Sequence, residues 1–481
     1  MKKLVIVLFG ALMAMGIYSC QQPAKENQVK EYPMFWTWIG YDSAKFDSVC
    51  QSLSELGLDG IVLKAGSADE YRQAIPVAKK HGLTVYAWWW TINNHKIAAE
   101  HPEWLSYNRN GHSIADSMAY VEYYKFLSPI IPGVREEICK QVDEICKVEG
   151  VEAISIDYHR FVDVVLPTTI WPNYGIVQDR EYPQWDYGYH PEMIKAFKEM
   201  HGYDPREQED PSKDQKWLQF RCDKVSEVAN LVAETVHKNG KLMAASPFPT
   251  PKMSARMVRQ YWGDWNLDIV FPMVYHNFYT EDASFVADCT IENARDKKES
   301  TTLYAGLWGS NNHELFESMD AAFNNGAQGV SFYTAEYITD PAIRKQFKEY
   351  ADSLRAVRKA NGGVIKATYP TVADKDPFKK EGVMKLIEAR MQKLIAEAKG
   401  TEELAPLALG EYAKKEAEDV TVRYEVTDAN SKKSFDVYFY FYGDILSEGI
   451  NIYPLNAETG DPDINAIPDK NLVFNLKNKI N

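Results

Sequence analysis

From Tyr32 onward, short apolar runs rich in β-branched and aromatic residues alternate with stretches whose apolar positions recur at helical spacing. Eight such runs are legible: Met34–Ile39, Gly60–Lys64, Leu83–Trp90, Val151–Asp157, Lys241–Pro247, Leu267–Tyr275, Thr302–Trp308 and Gly329–Thr334. Strands alternating with helices are the pattern of βα units in a parallel sheet. Eight units over about 330 residues predict an α/β fold of the (β/α)8 barrel type. An open doubly wound sheet is the alternative, but no glycine-rich fingerprint follows the first strand.

The intervening stretches agree. Phe46, Val49, Cys50, Leu53 and Leu56 fall on one helical face, with Gly57 placed to end the helix. Leu315, Phe316, Met319 and Phe323 repeat that pattern before the eighth strand. Asp340-Pro341 reads as an N-cap followed by proline at the first helical position. Two connections are long. The one after the fourth strand contains Ile170–Gly175 and Tyr182–Tyr189, so rich in Trp and Tyr that an ordered wall of a cleft or a buttress is expected.

The barrel pattern runs over 32–362 and gives way to a small α+β accessory segment over 363–481. There a helix is expected over 377–399, followed by alternating strands such as Val420–Tyr424 and Phe435–Tyr440. Residues 1–20 read as a targeting segment, with Lys2 and Lys3 ahead of the apolar run Leu4–Ile17. That run is shorter than the ~20 residues of a membrane span. It ends Ile17-Tyr18-Ser19-Cys20, which resembles a bacterial lipobox, with Tyr18 an unusual occupant of its position. Cys20 is then the site of lipid attachment, 21–31 a tether, and the expected location the bacterial, outer, membrane surface. A plain secretory signal is the alternative.

Composition narrows the partners. A net charge of −14 argues against a nucleic-acid ligand, which needs clustered Lys and Arg. Twelve Trp and 29 Tyr suit a carbohydrate partner, because flat rings with a polar edge match sugar faces, although large cores also collect aromatics. Beyond Cys20 the five cysteines Cys50, Cys139, Cys146, Cys222 and Cys289 have no CxxC spacing, so neither a disulfide framework nor a zinc site is expected.

Candidate chemistry gathers where strands end, the face on which barrel enzymes carry their sites. The fourth strand reads Ile154-Ser155-Ile156-Asp157, and alternation turns Ser155 and Asp157 inward, away from the covering helices. An inward carboxylate is costly without a job or a partner, and Arg160 and Lys64 are the available partners. Tyr158, His159 and Arg160 follow it; Tyr275 and His276 end the sixth strand, Trp308 the seventh, and Glu336 follows the eighth. Trp36, Trp38 and Trp89 are expected to line the mouth, whereas Trp88 is expected in the core.

Three stretches resemble the glycosyl hydrolase-like family ten: Glu152–Arg160, Ala245–Phe248, and Asp264-Trp265 through Asp268–Tyr275. The resemblance covers most of residues 32 to 345. It implies hydrolysis of a glycosidic bond, with Asp157 matching the aspartate that ends the fourth strand; no cofactor or metal is expected for that reading. Members often carry Asp-Asp-Tyr-Arg-Tyr-Pro there; here Ile156 replaces the first acid and His159 interrupts Tyr–Arg. Asp264 and Asp268 precede the sixth strand and are read as structural. Such hydrolysis uses two carboxyl groups, ~5 Å apart when configuration is retained and ~6.5–9.5 Å when it is inverted. Asp157 is the candidate base, nucleophile or stabiliser, Glu336 the candidate proton donor, and Asp163 and His276 the reserves. Trp36, Trp38, Trp89, Tyr158, His159, Arg160, Tyr275, His276 and Trp308 are the candidate substrate-binding residues. Two other readings stay open. One is a non-catalytic glycan-binding lipoprotein on the same barrel; the other is a metal-dependent hydrolase using Asp157, His159 and His276.

Overall fold

The computed structural model describes residues 32–176, 178, 180–279 and 283–367, together with the backbone of five strands between 411 and 474. The targeting segment, the tether, Cys20 and the helix expected over 377–399 lie outside the described residues. Eight parallel strands close in chain order: β1 (Phe35–Gly40), β2 (Gly60–Lys64), β3 (Thr84–Trp90), β4 (Ala153–Asp157), β5 (Leu242–Ala245), β6 (Ile269–Val270), β7 (Thr302–Trp308) and β8 (Gly329–Tyr333). β1 pairs with both β2 and β8, so the sheet has no edge. This is the (β/α)8 barrel that the periodicity predicts. The largest difference is β6, expected over Leu267–Tyr275. It breaks off before Pro272, which has no N–H to donate, and the chain rejoins the ladder as a single bridge from Met273 to Gly306.

Parity divides the core. Trp36, Trp38, Val62, Tyr86, Ala153, Ala244, Ile269, Phe271 and Tyr304 fill the barrel interior. Ile61, Leu63, Val85, Ala87, Ile154, Ile156, Val330 and Phe332 face the helices. So many rings fit inside because glycines sit opposite them. Trp36 pairs in register with Gly60 and Tyr304 with Gly329, and a Cβ at either glycine would overlap the facing ring. The helix ends follow the predicted chemistry. Gly57, at φ 100°, closes the helix Phe46–Leu56 by donating to the carbonyls of Leu53 and Ser54. Asp340 caps the helix Pro341–Ala360 by accepting from the N–H groups of Ala342 and Ile343.

The long connection after β4 is tied down by one carboxylate. Asp186, fully buried, accepts from Arg221 at 2.5 Å, Arg109 at 3.1 Å, Arg259 at 3.1 Å and the Tyr189 hydroxyl at 2.9 Å. Arg221 lies in the helix Gln215–Lys238, Arg259 just past the helix Pro251–Val258, and Arg109 in the connection after β3. The three guanidinium groups hold the Asp186 carboxyl far below the usual carboxylate range despite its burial. This part of the connection is therefore a buttress.

Cys50, Cys139, Cys146, Cys222 and Cys289 form no disulfide among the described residues, and burial pushes the thiols of Cys50, Cys146 and Cys222 up to about 12. Near the C-terminus, β9 (Glu411–Glu416), β10 (Thr421–Thr427), β11 (Ser434–Tyr442), β12 (Ile445–Ile452) and β13 (Lys470–Phe474) form an antiparallel sheet in chain order.

Candidate functional site

β4 delivers Asp157 to the C-terminal mouth of the barrel. Beneath it, the Ser155 hydroxyl lies 3.3 Å from that of Ser246, which accepts from the Trp38 indole at 3.0 Å. Asp157 itself is only 6% exposed. One oxygen accepts from the Trp88 indole N–H at 2.9 Å, the other from the backbone N–H of Tyr158 at 2.5 Å. That second bond comes with a φ of 47° at Tyr158, a left-handed conformation costing a non-glycine residue roughly 1–2 kcal/mol. The surroundings enforce it: the Tyr158 ring packs 4.3 Å from Trp90, and the Arg160 guanidinium lies 5.0 Å from it. Burial pushes the Asp157 carboxyl upward, and the Tyr158 N–H, the Trp88 indole, Arg160 and Lys64 oppose that shift without cancelling it.

Aromatic faces rim this carboxyl. Tyr275 stands 6.3 Å from Trp38, 6.1 Å from Trp308 and 5.7 Å from Tyr333. Its phenol is pushed well above its usual value by burial and by Asp157. Tyr337 packs 5.7 Å from Trp308, which puts the neighbouring Glu336, exposed in the turn Ala335–Tyr337, on the same rim. Tyr123, from the connection after β3, faces Trp90 at 6.1 Å. Tyr123, Tyr333 and Tyr337 are exposed, so both sides of the mouth offer rings to solvent.

Several expected site residues sit elsewhere. Trp36 is fully buried and donates to the Pro33 carbonyl at 2.8 Å, ahead of β1, so it belongs to the bottom layer of the barrel and not to the mouth. Trp38 lies one layer higher and floors the site. Trp89 packs into the outer core, and Trp88 and Trp90 are the inward residues of β3; the parity is set by Tyr86, which faces the interior. His159 also points away from the mouth. Its Nε2–H donates to the Val225 carbonyl at 2.9 Å, and Nδ1 accepts from the Thr91 hydroxyl at 2.7 Å. Arg160 donates to Asp163 at 3.0 Å, and Asp163 also accepts from Tyr124 at 2.7 Å, which removes Asp163 as a reserve acid. His276 is buried, with Nε2 3.7 Å from Glu314. Among the described residues no three His, Cys, Asp or Glu side chains are grouped to hold a metal ion.

Lys64, Trp88, Trp90, Tyr123, Tyr333 and Tyr337 are the mouth residues that sequence reasoning did not select for binding. A signal for Lys64 exists: Gly60, Val62 and Lys64 share the inward parity of β2.

The environment of His159 carries a prediction. Burial lowers its imidazole from 6.5 to about 4. A depressed folded-state value means stability that is present above pH 6.5 and lost as pH falls toward 4, amounting to ~3 kcal/mol. His159→Gln, which keeps a donor for Val225, is expected to flatten the denaturation midpoint across that window. A midpoint profile with the wild-type slope would contradict this.

No family model matches the chain, and no curated protein does. Among solved structures the chain is similar to a β-galactosidase from the psychrophilic Marinomonas ef1, at 11% identity and a TM-score of 0.45 over 68% of this chain and 60% of that one. It is similar to a β-galactosidase from Rahnella sp. R3, at 11% identity and a TM-score of 0.45 over 70% and 57%. It is also similar to α-L-fucosidase isoenzyme 2 from Paenibacillus thiaminolyticus, at 13% identity and a TM-score of 0.43 over 68% and 50%. The chain thus spans half to three-fifths of those proteins. At such identities the likeness concerns the barrel architecture alone.

Proposed function

We propose that the barrel mouth hydrolyses a glycosidic bond of an oligo- or polysaccharide, with Asp157 as one of two carboxyl groups. The observation that carries this reading is Asp157 itself: an inward, buried acid at the end of β4, oriented by two donors and ringed by exposed aromatic faces. The resemblance of Glu152–Arg160 to glycosyl hydrolase-like family ten selects the same residue. Its upward shift suits a proton donor, which must hold its proton until the leaving oxygen needs it. That reverses the roles expected from sequence and leaves Glu336, on the rim after β8, as the base or nucleophile. β4 and β8 stand opposite each other in the barrel, so the sugar would lie across the mouth between them.

Release of reducing ends from a glycan library by the wild-type protein is the test. Glu336→Gln is expected to lower that release at least 100-fold, within the usual range for an acid–base group. A library in which no member yields reducing ends would overturn hydrolysis.

One observation favours a second reading, a non-catalytic glycan receptor. The charged groups that act most strongly on Asp157 are two cations, Arg160 and Lys64. Saturable binding of an oligosaccharide that is never cleaved would select it. We further propose that Cys20 carries the lipid anchor that its resemblance to a lipobox implies. Cys20→Ser is expected to abolish incorporation of labelled palmitate and release the protein from membranes; unchanged labelling would refute the anchor.

A further inference from the structure

Lys64 is the last residue of β2 and turns into the mouth beside Asp157. Its ammonium rests 3.5 Å from the centre of the Trp90 ring and 6.0 Å from that of Trp88. Asp157 acts on it through space, yet both Asp157 oxygens already accept bonds, from Trp88 and from Tyr158. Among the described residues no carboxylate or carbonyl makes an ion pair or hydrogen bond with the Lys64 ammonium. The buried Trp90 indole N–H next to it also lacks an acceptor. The mouth therefore holds a surplus of donors: three N–H bonds on an ammonium over aromatic faces, and one on the ring beneath it.

A neutral sugar hydroxyl answers such a surplus poorly, because it brings a donor of its own. A carboxylate or a sulfate ester brings acceptors only, and its charge compensates an ammonium that a bound sugar would seal from water. Burial lowers the Lys64 amine to about 8, so it is still mostly protonated at neutral pH.

We propose that the glycan taken by this mouth is acidic, with a carboxylate or sulfate substituent seated on the Lys64 ammonium. The proposal rests on the glycan-binding reading of the mouth and extends it to a substrate class.

The experiment uses uronic-acid and sulfated oligosaccharides, each beside its carboxyl-reduced or desulfated counterpart. Binding to the full chain is read by calorimetry, and reducing ends are measured in the same samples. Wild type is expected to bind one acidic series about tenfold to a hundredfold more tightly than its neutral counterpart, the range for a hydrogen bond to a charged group. The two arms separate carboxylate from sulfate. Lys64→Met, close in length and apolar, is expected to erase the preference, so that acidic and neutral partners bind alike, and Lys64→Arg to keep much of it. Equal affinity for acidic and neutral partners, an undiminished preference in Lys64→Met, or binding to no acidic member would overturn the proposal. Acid-selective binding without reducing ends would keep it and remove hydrolysis. Cleavage of neutral glycans without acid preference would do the reverse.

Discussion

Asp157→Asn is expected to lower hydrolysis of the natural glycan by about 10²–10⁴-fold, the contribution of a positioned acid–base group, and to leave the barrel folded. The substitution preserves volume and one acceptor oxygen, so one of the bonds from Trp88 and Tyr158 survives. The sign of the stability effect follows from the shift. Because the folded-state value is raised, the folded protein holds this proton more firmly than the unfolded chain does. Above the unfolded value the group costs stability, and the cost grows as pH rises until the folded value is passed. Asparagine removes that cost at neutral pH and loses part of one hydrogen bond, so thermal denaturation near the wild-type midpoint is expected. The proposed proton-donor role adds a sharper readout. A glycoside whose leaving group departs without protonation, such as a dinitrophenyl glycoside, should keep most of its rate in Asp157→Asn. Near-wild-type turnover of the natural glycan would sink the assignment, and equal loss on both substrates would move Asp157 from donor to base or nucleophile.

Asp186→Ala carries the largest expected effect on stability. Arg221 and Arg259 are fully buried, and Asp186 is the only carboxylate that bonds Arg221 among the described residues. Removing one member of a buried ion cluster leaves uncompensated charge, with a typical loss of ~3–5 kcal/mol. Arg259 keeps Glu181 at 2.5 Å, so the loss falls mainly on Arg221 and Arg109. A lower midpoint in urea and new proteolytic cleavage between residues 180 and 190 are the expected results. Asp186→Asn, which keeps the shape and loses the charge, should fall between wild type and Asp186→Ala. An unchanged midpoint in both variants would refute the buttress. A depressed carboxyl contributes stability that is present above its unfolded value of about 3.9 and lost as pH falls below it. This cluster and His159 should therefore act together in acid unfolding.

The parts of this protein that were legible beforehand depend on local periodicity. A strand shows its two faces every second residue, so eight apolar runs separated by helical stretches specify the barrel, and the Ile154/Ile156 alternation alone turns Asp157 inward. The same rule applied to Gly60, Val62 and Lys64 reaches the second charge of the mouth. Parity was unreadable at Trp88-Trp89-Trp90, where three equal residues in a row carry no contrast between faces. Only the packing of Tyr86 inside the barrel decides that Trp88 holds the acid and Trp89 does not.

Past the end of a strand the period itself is lost. Tyr158, His159 and Arg160 lie in consecutive positions, yet one rings the carboxylate, one is locked between Thr91 and Val225, and one is spent on Asp163. Those destinations are set by partners more than 60 residues away for His159 and by a loop conformation for Arg160. The Asp186 cluster likewise joins Arg109, Arg221 and Arg259 from three separate segments. The sequence by itself determined the barrel, the inner and outer faces of β2 and β4 and the place of Asp157, because each follows from neighbours two to four residues apart. Tertiary structure alone decided which groups surround that acid and which charges are left free to meet a ligand. Such pairings bring together chain segments whose separation no local pattern encodes.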